Sequence, residues 1–334
     1  MTRETDIAED LADRIVGRAL IGVRLEVSFF NSVRSRLSSL FKDLTKELVI
    51  LNPPAATRSQ VRKARLSLLI SNSEKAIKET YRSIKFTQDK ELSSYYDTEV
   101  VATQVEMRRS FNENGLTYFV AVPKEKLDRL VMGSPVTAWW DAQERKISQS
   151  VIAELRKGLI AGETVDGFIR RLTGDSGVYD DATNYAKTLV KTSVMAMGNL
   201  ARFSVFEANL TYIDAYMQLS RLDNKSSKPC IARAGLLWDA RTKEPRGHDL
   251  PFEVPPLHYG CRSVPVVKLK GGEAPKDQDS DQWLRSLSSG QQDRLLGKER
   301  ANLYRQGDII ARDLIDQSNR PLSLAELSET IGED

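Results

Sequence analysis

Cysteine and histidine are scarce in this 334-residue chain, which has two of each. So few thiols exclude a disulfide framework and fit synthesis in a reducing compartment. Long apolar runs are missing as well. The longest, such as Leu48 to Leu51 and Leu66 to Ile70, fall far short of the ~18 uncharged residues of a membrane-spanning helix, so no membrane is expected among its partners. Met1 to Asp13 carries Glu4, Asp6, Glu9, Asp10 and Asp13 and no apolar stretch, so it is not expected to be a secretory leader. With 12 prolines, 19 glycines and 28% charged residues, the composition also excludes collagen-like and disordered chains. There is no internal repeat, no low-complexity tract and no glycine-rich phosphate cradle near the histidines.

What is present is mostly helical periodicity. Leu37, Leu40, Phe41, Leu44 and Leu48 recur at helical spacing, which puts them on one stripe of a helix ending before Pro53 and Pro54. Ser59 can cap a second helix with an interrupted stripe at Val61, Leu69, Ile77, Tyr81 and Ile84, reaching about Lys85. Together they predict an antiparallel hairpin across an Asn52 to Thr57 turn. Between Phe86 and Val136 the residues Val100, Val101, Thr103 and Val105, then Leu116, Tyr118, Phe119, Val120 and Val122, read as strands joined by a turn at Asn112 to Gly115. Helical spacing returns with Ile147, Val151, Leu155 and Leu159, closed by Gly158 and Gly162. Thr164 caps the next helix, with Phe168 and Leu172 inward, and a third runs from Asp180 to Asn209 with Ala186, Leu189, Val190, Ser193 and Met197 inward. Loops and short strands follow, at Ala215 to Leu219, Leu236 to Trp238 and Val264 to Leu269. A Gly271 to Pro275 linker then leads to two or three short helices.

Both cysteines and both histidines fall in the loop-rich part: Cys230, His248, His258 and Cys261. Thiolates and imidazoles are zinc's preferred donors, so the four could close a tetrahedral structural site. The His258 to Cys261 half has the short spacing of zinc sites, whereas the Cys230 to His248 half lacks a knuckle. Three alternatives stay open. The residues could be buried thiols with imidazoles bonded to loop backbone, a Cys230 to Cys261 disulfide formed outside the cell, or a nucleophilic Cys261 activated by His258.

The same stretch carries a resemblance. Leu222-Asp223, then Ser227-Lys-Pro-Cys230-Ile-Ala-Arg-Ala-Gly235, then Pro255-Pro256-Leu-His258-Tyr-Gly-Cys261-Arg262-Ser263 is similar to the C-terminal signature of the phage Mu F-like minor head proteins, also called phage head morphogenesis proteins. Gly158, Gly162, Val190-Lys-Thr192, Asn199 and Ala201-Arg202 match the approach to that signature. Trp283-Leu284, Leu296-Gly297, Arg300 and Pro321-Leu-x-Leu324 resemble the extension that often follows it. Ala234 departs from the pattern, standing where many members have Asp. The resemblance covers about Ala138 to Glu326. It implies a non-enzymatic minor capsid protein of a tailed phage, made in the bacterial cytoplasm and lodged inside the head near the portal. Its implied partners are the portal protein and packaged double-stranded DNA, with major capsid or scaffolding protein beside them. The competing expectation is a virion-packaged nuclease, protease or toxin-like enzyme using the Cys/His loop.

Charge distribution suggests where such contacts would lie. Arg34 to Lys85 holds 12 Lys/Arg against 4 Asp/Glu, whereas Gly271 to Asp334 holds 8 against 13. Arg34, Arg36, Arg58, Arg62, Lys63 and Arg65 are therefore the candidates for DNA or portal contact, although a solvated basic face serves solubility equally well. The expected fold is α+β, mainly α. Its parts are a basic helical hairpin over 1–86, a short β-containing connector over 87–136, a helical domain with the Cys/His module over 137–270, and an acidic helical extension over 271–334.

Overall fold

The computed structural model describes residues 2–53, 59–116, 119–123, 130–277 and 279–332. The architecture is mainly helical with a small antiparallel sheet, as expected from the sequence. Two long helices open the chain, α1 (Arg3–Leu51) and α2 (Ser59–Glu113). After a short hairpin of β1 (Leu130–Val131) and β2 (Ser134–Pro135) come α3 (Val136–Ile160), α4 (Val165–Thr173) and α5 (Val178–Glu207). The sheet is built from β3 (Ile213–Leu219), β4 (Leu237–Asp239), β5 (Pro245–Arg246) and β6 (Val264–Leu269), with the short helix α6 (Lys228–Arg233) between β3 and β4. Helices α7 (Ser280–Ser286), α8 (Ser289–Leu296), α9 (Lys298–Gln306) and α10 (Leu324–Gly332) end the chain. Among the described residues no helix is long and apolar enough to cross a membrane.

The chain divides into two compact units that do not follow sequence order. One comprises Met1–Gly22, Tyr95–Asp128 and Met195–Asp334, the other Val23–Ser94 and Arg129–Val194. The four consecutive segments expected from sequence are therefore not the compact bodies. In particular, the segment after Gly271 is no detached extension. Trp283, Leu284, Leu296, Tyr304, Leu314 and Leu327 share a core with Ile231 and Leu250.

The helical unit is held by the expected stripes. Leu37, Leu40, Phe41, Leu44 and Leu48 on α1 are buried, as are Leu69, Ile77, Tyr81 and Ile84 on α2, whereas Val61 is exposed. Bonds between α1 and α2 run in antiparallel register: Arg36 donates to Ser83 and Thr87, and Asn72 to Glu47 further along. Of the expected turn, 54–57 lies outside the described residues. On α3 and α5 the inner faces are those anticipated, with Ile147, Val151 and Leu155, then Ala186, Leu189 and Val190, all buried. Thr164 caps α4 by accepting from the Gly167 N–H at 3.3 Å. Asp180 stands in the first turn of α5, where an acidic side chain suits the helix dipole.

The expected strands within 87–136 are corrected. Val100, Val101, Thr103 and Val105 lie on α2, which continues to Glu113, so Asn112 to Gly115 ends a helix and joins no strands. Gly115 has φ +72°, and Leu116 N–H bonds to Phe111 C=O, a left-handed helix stop that glycine takes without strain. Phe119, Val120 and Val122 have no regular structure, and Tyr118 lies outside the described residues.

In the other unit, Ile7, Leu11 and Ile15 of α1 pack in one core with Met107 and Phe111 of α2, Val205 and Phe206 of α5, and Ile213, Val266 and Leu269 of the sheet. The sheet order is β5-β4-β3-β6, antiparallel throughout, with Tyr216 opposite Trp238 on one side and Val267 on the other. β3 and β6 are buried along most of their length, with Asp214 and Gln218 of β3 and Lys268 of β6 as their polar positions.

Candidate metal centre

Three of the four soft donors meet. Ser227 caps α6, its Oγ accepting from the Cys230 N–H at 3.3 Å, and this sets Cys230 in the first turn. From the other side, the segment between Pro255 and Ser263 folds so that Cys261 Sγ stands 3.7 Å from Cys230 Sγ. His258 Nε2 lies 3.1 Å from Cys230 Sγ and 2.6 Å from Ser227 Oγ. The donor atoms of Cys230, His258 and Cys261 all lie within 4.8 Å of one another, a group able to hold a metal ion. Both cysteines are buried and both are free thiols, the sulfurs standing well beyond the ~2.05 Å of a disulfide.

His248 is not part of this group, which corrects the four-ligand expectation. Its Nδ1 accepts from the Leu250 N–H at 3.2 Å, its Nε2 donates to Leu237 C=O at 2.9 Å, and its ring meets Trp238 edge-on at 4.9 Å. Both nitrogens are spent on backbone. Burial lowers its pKa, in keeping with a neutral ring that braces β4. The catalytic pairing expected from sequence changes as well, since Cys230, and not Cys261, stands against His258 Nε2.

Electrostatics in the cluster favour one negative charge on sulfur. The hydrogen bond from Cys261 holds the Cys230 thiol below its ordinary range, with help from His258 and Ser227 and against the opposing effect of burial. The Cys261 thiol rises because it shares that charge and is buried. Burial works against charge on His258, but its contact with Cys230 outweighs it and raises the imidazole. Ser263 Oγ also donates to Cys230 Sγ at 3.3 Å and lies 2.8 Å from Ser220 Oγ, while Gln218 Nε2 donates to it at 3.3 Å.

Nδ1 of His258 lies 2.9 Å from the Tyr259 carbonyl and donates there, so that once Nε2 exchanges its proton for a metal its lone pair faces the sulfurs. This is the arrangement that orients a metal-ligating histidine.

The loop bearing His258 and Cys261 is tied down at both ends by one side chain. Asn199 Nδ2 donates to Pro255 C=O and to Ser263 C=O, each at 2.9 Å. Asn199 Oδ1 in turn accepts from Arg202 Nη1 at 2.9 Å, and Arg202 donates through Nε and Nη2 to Glu99 Oε1 at 3.1 and 2.8 Å. Arg18 reaches the other Glu99 oxygen at 2.6 Å. A Cβ on Gly198 would come within 2.8 Å of Tyr95 Oη and 3.3 Å of the Arg202 guanidinium, so the network needs glycine there.

Asn199 and Arg202 drew attention only through the family-like pattern, and Glu99 drew none. The available signal was Asn199-x-x-Arg202 among the small residues Ala196, Gly198 and Ala201, a helix face built for close approach.

Asp223 forms a forked pair with Arg262, both bonds 2.7 Å. Thus Asp223, Cys230, His258, Cys261 and Arg262, separate in sequence, form one cluster. Asp239 belongs elsewhere, bonded to Arg246 at 2.6 Å and to the Arg241 and Thr242 amides.

The basic candidates of the hairpin fall into two kinds. Arg34 and Lys63 are exposed, Arg34 lying over Phe30 at 5.8 Å. Arg36 spends its guanidinium on Ser32, Ser83 and Thr87, and Arg65 bonds the Asn52 carbonyl at 3.3 Å. Arg62 is half-buried, and Arg58 lies outside the described residues. Compared with protein-family profiles, curated proteins and solved structures, the chain matches none.

Proposed function

We propose that this chain is a non-enzymatic minor head protein of a tailed bacteriophage, placed inside the head near the portal vertex and contributing to head assembly and to DNA packaging or ejection. The observation that carries the reading is that the residues of the head-protein-like signature, Asp223, Cys230, His258, Cys261 and Arg262, behave as a single structural unit. A motif whose parts close on one another makes a pinned loop module.

In this reading the cluster holds zinc. Two thiolates and one imidazole are the donor set that zinc favours. On a tetrahedral zinc with bonds of about 2.3 Å, two thiolates stand about 3.8 Å apart, against the 3.7 Å between Cys230 and Cys261. Bound there, the ion would supply cross-linking energy between α6 and the 255–263 loop. Asn199 and the Asp223–Arg262 pair hold the loop ready for it.

Exposed positives on the hairpin, Arg34 and Lys63 among them, meet DNA phosphate or an acidic face of the portal, without reading sequence.

Two measurements test this. Mass spectrometry of purified heads, with and without DNA, should find the polypeptide in both, and its absence from both would end the proposal. Elemental analysis of protein purified without chelator should give about one equivalent of zinc, and less than about a tenth rejects the metal.

A further inference from the structure

The protein supplies three donors to this centre, and the fourth position of a tetrahedral ion must come from elsewhere. His248 is committed to backbone, and among the described residues no carboxylate joins the group. A small cavity of about 20 Å³ opens directly on the cluster, with Ser227, Cys230, His258 and Ser263 in its wall. That volume accommodates about one water molecule. Arg221, Lys225 and Arg262 also line it, the first two exposed, so the cavity communicates with solvent; Arg262 is paired with Asp223, and the positive charge of the cavity comes from Arg221 and Lys225.

Resting on the metal reading above, we propose that the centre is open: the fourth ligand is an exchangeable water or small anion held in this cavity, and no fourth protein side chain closes the site. Among the described residues two hydroxyls in the cavity wall touch the cluster: Ser263 Oγ is engaged with Cys230 Sγ, Ser220 and Gln218, which leaves Ser227 as the stronger competitor for the position, its Oγ 2.6 Å from His258 Nε2. It is already fixed as the cap of α6, accepting from the Cys230 amide, and a neutral hydroxyl is a weak donor beside two thiolates. With His258 Nε2 taken up by the metal, the hydroxyl proton is released for a different task, donating to an oxygen or nitrogen bound at the metal.

Charge gives the same answer. Two thiolates neutralise a divalent ion, so an added anion brings a net negative charge, which Arg221 and Lys225 offset. The chemistry is therefore that of a compact monoanion, admitted end-on and limited in size by the cavity.

The test uses full-length protein loaded with Co(II), titrated with sodium azide and followed by the visible d–d bands. The expected result is a four-coordinate spectrum that azide shifts saturably. In Ser227→Ala the unliganded spectrum remains four-coordinate and the azide shift persists, with affinity about tenfold weaker for the lost hydrogen bond to a charged ligand. A wild-type spectrum that azide leaves unmoved overturns the proposal. So does a Ser227→Ala spectrum that loses four-coordination, which would make Ser227 the fourth ligand. Failure of the wild-type chain to bind Co(II) or zinc at all is a different result, and it removes the metal reading itself.

Discussion

In the unit that contains α3, charge stays at the edge of an apolar interior. Lys85 bridges Asp141 and Glu144, with its side chain 23% exposed and those of its partners 45% and 20% exposed. In the unit that contains the sheet, Glu99 and Arg202 pair at 2.8 Å with side chains 0% and 1% exposed. The first arrangement can be removed at little cost, because water replaces the missing partner. The second cannot, since an isolated buried charge has nothing to turn to. A core whose buried groups carry no charge tolerates some sliding, whereas the Glu99, Arg202 and Asn199 network, in which each side-chain polar atom meets a partner, accepts one geometry. The unit that must place three donor atoms within a few ångströms is the one built the second way.

The sharpest way to break that contrast is Glu99→Ala. Stranding Arg202 in the interior should cost about 3–5 kcal/mol, read as a drop in the urea midpoint with the slope unchanged. A loss below about 1 kcal/mol would place this pair with the surface pairs.

Next, Asn199→Ala leaves the Pro255 and Ser263 carbonyls without their donor and should cost about 1–3 kcal/mol. It should also weaken zinc affinity in a chelator competition by about 10–100-fold, the usual effect of losing a supporting partner. Undiminished affinity would show that the loop does not rely on its clamp.

Lys85→Met is the counterpart in the other unit, with an expected loss of at most about 1 kcal/mol.

A pH experiment sharpens the comparison further. Hydrogen bonding to Arg262 lowers the Asp223 carboxyl from 3.8 to about 2, and Arg246 does the same for Asp214. Since these folded-state values lie below the unfolded one, their stabilisation is complete above pH 3.8 and drains away as pH falls towards 2. Asp223→Asn should flatten that acid limb, and an unaltered limb would mean that the fork contributes nothing.

The smallest effect expected is on DNA binding. Changing the exposed Arg34 and Lys63 together to Glu should flatten its salt dependence, by a slope of about 0.9 for each phosphate no longer neutralised. An unchanged slope shifts the hairpin's role to the portal.

Much of the helical frame was legible in sequence because its buried positions are apolar and evenly spaced. The second half of α2 was not. Its inner face carries Glu99, Thr103, Gln104 and Ser110 beside Tyr96, Met107 and Phe111, so a search for apolar stripes finds only β-branched residues on the outside. Val101, at 60% exposed, is one of these. The same polarity that hides the helix builds the network.

At the candidate site, rarity drew attention to four residues and geometry kept three. His248 shares the neighbourhood in sequence, but its nitrogens had backbone partners that spacing cannot reveal. Ser227 and Ser263 stood in the motif as quoted. Only folding shows that they touch the sulfur and the imidazole.

The interleaving of the sheet-bearing unit has a consequence for synthesis. Ile7, Leu11 and Ile15 are translated long before Val266 and Leu269, yet they belong to the same core. The opening turns of α1 therefore cannot complete their core until the sheet has been translated. No fragment cut from the carboxyl-terminal side alone can rebuild that interior. Deleting the opening turns of α1 should therefore disturb loops far downstream, with Glu273 N–H bonded to Thr5 Oγ1 at 2.8 Å as the most direct tie.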